Sequence, residues 1–271
     1  MRKKLHEQTP RIGPRDVKIL EEIWSYGFRT YDELHSRFLK NYSKSWGYRI
    51  LKRLTLLGYV DEYSDPKGNL IGWKSGRTNC LPDYLKSAKN LIPTAKSPKY
   101  FSNFEHDLAL RLVLDEFKKL PITSEVSTEH ELRRKALSSM KGYSKRDLNE
   151  ISSKIPDGRF KLKLGQKEFI VALEIELTQK TDERIQSKLE HYIAKSSYDF
   201  VLYTCGNQAT LNAVLRNYQH VLAHSPKVKF SSKRNPIYFC SLLECKENLV
   251  DAKIFSTHDS FKLSQFLASQ V

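Results

Sequence analysis

Cysteine is scarce and irregularly spaced: Cys80, Cys205, Cys240 and Cys245 are the full set, and no two form a CxxC pair. That spacing argues against a zinc site or a disulfide framework and fits a reducing compartment. Cys205 and Cys240 lie in apolar runs and read as core. Long apolar runs are missing too, and none approaches membrane-spanning length. The basic N-terminus lacks the apolar stretch of a signal peptide. The expectation is a cytoplasmic protein with no membrane partner. Acidic residues are in deficit, with 31 Asp+Glu against 46 Lys+Arg, a formal net charge of +15. Such an excess points to a polyanion, nucleic acid first and an acidic membrane second. It is unevenly spread, because residues 1–90 hold 18 Lys+Arg but only 10 Asp+Glu, about half the excess in a third of the chain. The apolar fraction is only 39%, but 13 Phe and 14 Tyr supply core volume for two modest domains or one large one.

Residues 1–15 form a basic arm with two prolines. From Val17 to Tyr26, the apolar residues Val17, Ile19, Leu20, Ile23 and Trp24 share one broad helical face, and Gly27 stops the helix. Thr30 can cap a second helix from Tyr31 to about Leu39, and Ser43 or Ser45 a third running to Leu57, ended by Gly58. Tyr59 to Tyr63 alternates like a strand, residues 65–69 carry turn chemistry, and Leu70 to Trp73 can return as a second strand. Ile50, Leu51, Leu54 and Leu57 would lock the third helix into a core. Lys44, Ser45, Tyr48, Arg49, Lys52 and Arg53 would face outward, where basic and small polar side chains suit a major groove. Lys67, Lys74 or Arg77 on the hairpin could meet phosphates. A charged, solvated helix face is the plainer alternative. Three short helices and then a hairpin resemble the winged-helix DNA-binding domain, over residues 16–79.

Residues 80–98, with three prolines, read as a linker with room for a short helix at Tyr84–Asn90. A second domain then spans residues 99–271. Asn103 to Leu120 has helical spacing, with Phe104, Leu108, Leu112, Val113 and Phe117 inward. Alternation follows from Ser124 to Leu132, then a basic, Ser-rich segment at 133–154. Strands are expected at Gly158–Leu164, Glu168–Leu177, Tyr198–Thr204 and Pro236–Leu243. Helices are expected at Thr181–Lys195, Gln208–Leu222 and Ser260–Ala268. The core order is α-β-β-β-α-β-α-β.

The sharpest chemical feature is Pro156-Asp157-Gly158, followed on the next strand by Glu174 and Glu176. Residues two apart on a strand share a face, and a short hairpin can bring Asp157 beside them. Three carboxylates converging among apolar strand residues repel one another unless a cation neutralises them, and a hard divalent ion suits oxygen donors. The plainer alternative is a solvated acidic face, although Ile170, Ala172, Leu173, Ile175 and Leu177 leave little solvated alternation around the pair. His220 and His224 are spaced i, i+4 without an evident third ligand.

This pattern resembles the PD-(D/E)xK nucleases. The resemblance implies an α+β fold with a restriction-endonuclease-like domain after the N-terminal winged helix-turn-helix. It implies Mg²⁺ or Mn²⁺ as cofactor, with Asp157 and Glu174 as metal ligands. The family's usual lysine position holds Glu176, as in the ExE variants of the motif. Glu176 would then bind metal or help activate water, and a lysine displaced to the following helix would take over, Lys188 first and Lys180 second. Glu105, His106 and Asp107 stand where a first-helix carboxylate often completes the family's site. The combination resembles the replication-relaxation group, including the MobC-type plasmid mobilisation relaxases. It implies a DNA nickase acting on double-stranded DNA, with a homodimer or mobilisation and replication accessory proteins as further partners. The alternative, supported by the missing lysine at 176, is a catalytically degenerate nuclease fold serving as a DNA-binding regulator or replication accessory factor. Water is the favoured nucleophile over any of the tyrosines. A protein-interaction adaptor explains the charge poorly.

Overall fold

The computed structural model describes residues 12–64, 68–76, 104–129, 131–133, 136, 155–195, 197–229, 236–256 and 259–269. Residues 1–11 of the basic arm, the linker with its expected helix, most of the 133–154 segment, Cys80, Lys67 and Arg77 lie outside these residues. The chain is mixed α+β and divides into two compact units, Met1–Lys99 and Tyr100–Val271.

The first unit begins with α1 (Pro14–Tyr26). Proline at its first turn costs no hydrogen bond, and the Asp16 carboxylate accepts from the Gly13 N–H at 3.1 Å. Thr30 and Glu33 form a reciprocal capping box that starts α2 (Tyr31–Leu34), which continues as a π-helical turn over His35–Leu39. Ser43 caps α3 (Lys44–Leu56), accepting from the Trp46 N–H at 3.3 Å. The strands β2 (Val60–Ser64) and β3 (Leu70–Ser75) pair antiparallel as a hairpin, in line with the alternation of residues 59–63 and the turn chemistry after them. A third strand, β1 (Phe28–Thr30), pairs with the other edge of β3, giving the order β1-β3-β2. The sequence reading missed β1, because three residues are too few to display a period. Ile19, Leu20, Ile23 and Trp24 of α1 meet Ile50, Leu51 and Leu54 of α3 and Trp73 of β3 in one core. Gly47 sits where α3 crosses the Tyr31 hydroxyl. A Cβ there would lie 2.5 Å from that oxygen, so the close approach needs glycine.

Among the described residues, the second unit holds a seven-stranded sheet of order β10-β9-β8-β7-β6-β5-β4. Helix α4 (Phe104–Lys118) precedes β4 (Thr123–Thr128), β5 (Gly158–Leu164) and β6 (Lys167–Glu176), with β5 antiparallel to both β4 and β6. Helix α5 (Asp182–Lys195) leads to β7 (Phe200–Cys205), parallel to β6. Helices α6 (Gln208–His224) and α7 (Pro226–Lys229) lead to β8 (Ile237–Ser241), parallel to β7. Helix α8 (Leu242–Asn248), antiparallel strands β9 (Lys253–Phe255) and β10 (Ser260–Lys262), and α9 (Leu263–Ser269) complete it.

Alternate residues of the sheet feed two cores. Val171, Leu173 and Ile175 of β6 pack with α4, α8 and α9, whereas Ala172 packs with α5 and α6. Each fully buried apolar side chain contributes roughly 1.5–3 kcal/mol relative to exposure. Three expected elements are corrected. In α4 the buried apolar residues are Ala109, Leu110, Val113, Leu114 and Phe117, and Leu112 is 36% exposed, so the inward face is rotated from the one anticipated. The strand anticipated to Leu132 ends at Thr128, because Thr128 and Glu131 exchange hydrogen bonds of 3.1 and 3.4 Å as a capping box and start a helical turn. The final helix is shorter, its first three anticipated residues being β10, which pairs with β9.

Candidate active site

Gly158 pairs with Leu173 at the end of the β5–β6 ladder, and one step beyond it Asp157 meets the Glu174–Ile175 segment. The Ile175 N–H donates to Asp157 Oδ2 at 2.8 Å. A Cβ on Gly158 would stand 3.2 Å from both Leu110 and Leu114, so glycine lets α4 settle close against this strand end. That approach brings His106 of α4 to Asp157. His106 Nε2 lies 3.1 Å from both Asp157 Oδ2 and the Ile175 carbonyl oxygen, and Nδ1 lies 3.6 Å from Asp107 Oδ1.

Glu174 points to the opposite side of the sheet from Leu173 and Ile175, toward α5. On that helix Ile185, Leu189 and Ile193 are buried, and Lys188 and Tyr192, one turn apart, both reach the carboxylate. The Lys188 ammonium donates to Glu174 Oε2 and the Tyr192 hydroxyl to Oε1. Glu176, on the same face, accepts from Lys180 at 2.7 Å. Asp157, Glu174 and Glu176 are all buried.

The electrostatics follow from this crowding. Burial opposes ionisation of Asp157, but the Lys188 charge, His106 and the Ile175 N–H hold it well below the usual carboxylate range. Burial pushes Glu174 up to about 8, with Lys188 pulling it down, Asp157 pushing it up and Tyr192 opposing the rise. Burial disfavours the His106 imidazolium, yet Asp107 and Asp157 raise it to about 10. Burial also works against the Lys188 ammonium, but Glu174, Asp157 and Glu129 hold its affinity for the proton above the ordinary lysine value.

No protein-family model, no curated protein and no solved structure matches this chain.

Of the residues anticipated from sequence, the structure brings together Asp157, His106, Glu174 and Lys188, with Glu176 and Lys180 as a neighbouring pair. Glu105 is exposed and contributes no contact to this cluster among the described residues, because the helix turns it away from the face that carries His106. The anticipated convergence of three carboxylates is also revised. Among the described residues, no group of three or more His, Cys, Asp or Glu side chains is placed to hold a metal ion. Each carboxylate instead has its own cationic partner: His106 for Asp157, Lys188 for Glu174 and Lys180 for Glu176. The donor chemistry still suits a hard ion. Mg²⁺ commonly takes one or two carboxylates and completes its shell with waters and substrate phosphates, and Asp157 and Glu174 supply such a pair.

Sequence reasoning missed Glu129. Its N–H donates to the Asp157 carbonyl at 2.6 Å, its side chain pairs with Arg133, and burial together with Asp157 raises its pKa. The signal was the Thr128–Glu131 capping box, which ends β4 and turns Glu129 toward the cluster.

On the first unit, Lys44, Ser45, Tyr48, Arg49, Lys52 and Arg53 are all exposed on α3, and Lys74 of β3 is half-buried. Two of these are already engaged. Lys52 pairs with Glu62 at 3.0 Å, and Arg53 pairs with the buried Asp16 at the start of α1. Among the described residues, Lys44 and Arg49 have no acidic partner.

Proposed function

We propose that the chain is a DNA-binding endonuclease. Its first unit acts as a winged helix on double-stranded DNA, and its second as a restriction-endonuclease-like domain that nicks one strand. The observation that carries this reading is the meeting of Asp157, Glu174 and Lys188, drawn from β5, β6 and α5, as a PD-(D/E)xK site with its lysine displaced to the following helix would require. Asp157 and Glu174 would hold Mg²⁺ or Mn²⁺, which supplies Lewis-acid stabilisation of phosphorane charge and a more acidic bound water. Lys188 keeps its charge beside the carboxylates and is placed to stabilise the developing negative charge on a phosphate. Glu176 orders Lys180 at the rim. His106 acts through Asp157, whose Oδ2 it holds with the Ile175 N–H, and is therefore a positioning residue. Tyr192 is fully buried and bound to Glu174, which removes it as a nucleophile toward DNA and favours water.

The biological setting that fits is plasmid mobilisation or replication in the cytoplasm, with a second copy of the chain or an accessory protein as partner. A second reading, a degenerate nuclease fold working as a DNA-binding regulator, is favoured by one observation: every carboxylate of the cluster is already neutralised by the chain's own cations. One experiment separates the two. Supercoiled plasmid carrying the cognate site is incubated with the protein and Mn²⁺. The nuclease reading expects open circles, lost by orders of magnitude in Glu174→Ala while DNA binding persists. Tight binding without nicking in any divalent ion would leave the regulator. Labelled DNA that migrates with the protein on a denaturing gel would replace water with a protein nucleophile.

A further inference from the structure

The exposed face of α3 is basic, but it also displays large aromatic side chains. Trp46 is 47% exposed and Tyr48 is 43% exposed, and Tyr42 just before the helix is 38% exposed. At 3.6 residues per turn, the buried side of α3 is Gly47, Ile50, Leu51 and Leu54, and the outward strip is Ser45, Arg49 and Lys52. Trp46 and Tyr48 flank that strip on its two sides. Tyr48 is held in place, with one ring face stacked on Tyr31 at 4.1 Å and 2° and the ring tilted against Trp73 at 5.7 Å. Tyr31 is itself fixed by its hydroxyl, which donates to the Lys44 carbonyl at 2.8 Å. A tyrosine pinned by its neighbours and still 43% exposed is a preformed platform that loses little entropy on stacking a ligand. The segment Tyr42–Leu57 contains no Asp or Glu.

Phosphate contacts require only the lysines and arginines of such a face. Exposed aromatic rings gain nothing from a phosphate, but every nucleobase has a π-face, and stacking on it is tolerant of sequence. In a closed duplex those faces are covered by neighbouring bases. We propose that the α3 face is a site for nucleic acid with unpaired bases, Trp46 and Tyr48 stacking on bases while Lys44 and Arg49 hold the adjoining phosphates. The inference rests on the docking role of α3 given above and narrows its ligand from any duplex to DNA that is locally open.

Trp46 provides its own reporter, because Trp24 and Trp73 are 4% and 1% exposed. The full-length chain is titrated, without divalent ions, with three DNAs: oligothymidylate, a fully paired duplex, and the same duplex with a central unpaired bubble. Tryptophan emission and the anisotropy of labelled DNA are followed together. Stacking predicts that the two DNAs with unpaired bases quench emission and that the bubble binds about tenfold more tightly than the paired duplex. Trp46→Ala and Tyr48→Ala should each lose most of that preference, whereas Trp46→Phe should keep it and lose the quenching. Equal affinity for paired and bubble DNA without quenching overturns the stacking role and leaves α3 as a phosphate-docking face. Failure to bind any of the three DNAs, with the circular dichroism of a folded protein, overturns the docking role of α3 as well and makes the aromatic face a protein-binding surface.

Discussion

The two charged regions of this chain are built in opposite ways. In the second unit, Asp157, Glu174 and Glu176 are buried, and each has its cation beside it, from α4, α5 or the β6–α5 connection. On α3 of the first unit the charges are exposed, and Lys44 and Arg49 have no acid near them among the described residues. A buried charge has lost its water and needs a permanent partner in the fold. An exposed charge keeps its water, costs little unpaired, and stays available to an external polyanion. The first arrangement sustains perturbed proton affinities and the second sustains association.

The largest effect should come from breaking the buried pair. Above about pH 8, where Glu174 is ionised, Lys188→Met leaves it buried without its cation, and we expect a loss of about 3–5 kcal/mol in urea unfolding near pH 9. Adding Glu174→Gln should recover much of it. If Lys188→Met alone is as stable as the parent, the pair contributes nothing and the contrast with α3 fails.

Next in size is a pH effect. His106 has a folded-state proton affinity raised to about 10 from 6.5. A raised value favours the folded state while the imidazole is protonated in both states. That contribution is full below pH 6.5 and is lost as pH climbs through about 10. Glu174, raised to about 8, works in the same direction over its lower window. With chelator present, stability should fall between pH 6.5 and 9.5 by an amount on the order of 2–4 kcal/mol. His106→Gln should flatten the part of this slope above pH 8, where the Glu174 contribution is already spent. An identical slope in that variant would place the titrating group elsewhere.

Smaller again is the difference between two neighbouring arginines on α3. Arg53 is tied to the buried Asp16 carboxylate, which Arg15 also binds at 2.8 Å. Arg53→Ala should therefore cost about 1 kcal/mol in thermal or chemical unfolding. Arg49→Ala should change stability by less than about 0.5 kcal/mol. For DNA binding the ranking reverses. Arg49→Ala should reduce the slope of log K against log salt by about 1, as expected for one lost phosphate contact. Equal stability losses in the two variants would erase the distinction between structural and available charge on this helix.

Much of the fold was legible because its elements announce themselves locally. The three α-helices described in the first unit carry caps or stop signals, Thr30 with Glu33, Ser43, and glycines at 27 and 58, and their apolar faces repeat at helical spacing. The order from α4 to β8 was readable for the same reason, the one-turn α7 apart, whereas α8, β9 and β10 were not anticipated. What local pattern could not show was β1, whose three residues become a strand only by pairing with β3. Nor could it show the true inward face of α4, where Leu112 fits a helical period as well as Leu110 does. In the site, the alternation of β6 placed Glu174 and Glu176 on one face, and the displaced-lysine reading singled out Lys188 on α5. Glu129 escaped notice because its relation to Asp157 runs through a backbone hydrogen bond between distant segments.

The sequence by itself determined the excess of positive charge, the acid-free composition of α3, the period of each long element and the pairing of Glu174 with Glu176 on one strand face. These follow from covalent order and the geometry of helix and strand. Tertiary structure alone decided which charges are already neutralised. Lys188 meets Glu174, His106 meets Asp157 and Arg53 meets Asp16 only after α5, α4 and α1 have packed, because Coulomb attraction and desolvation depend on distances that chain order does not contain.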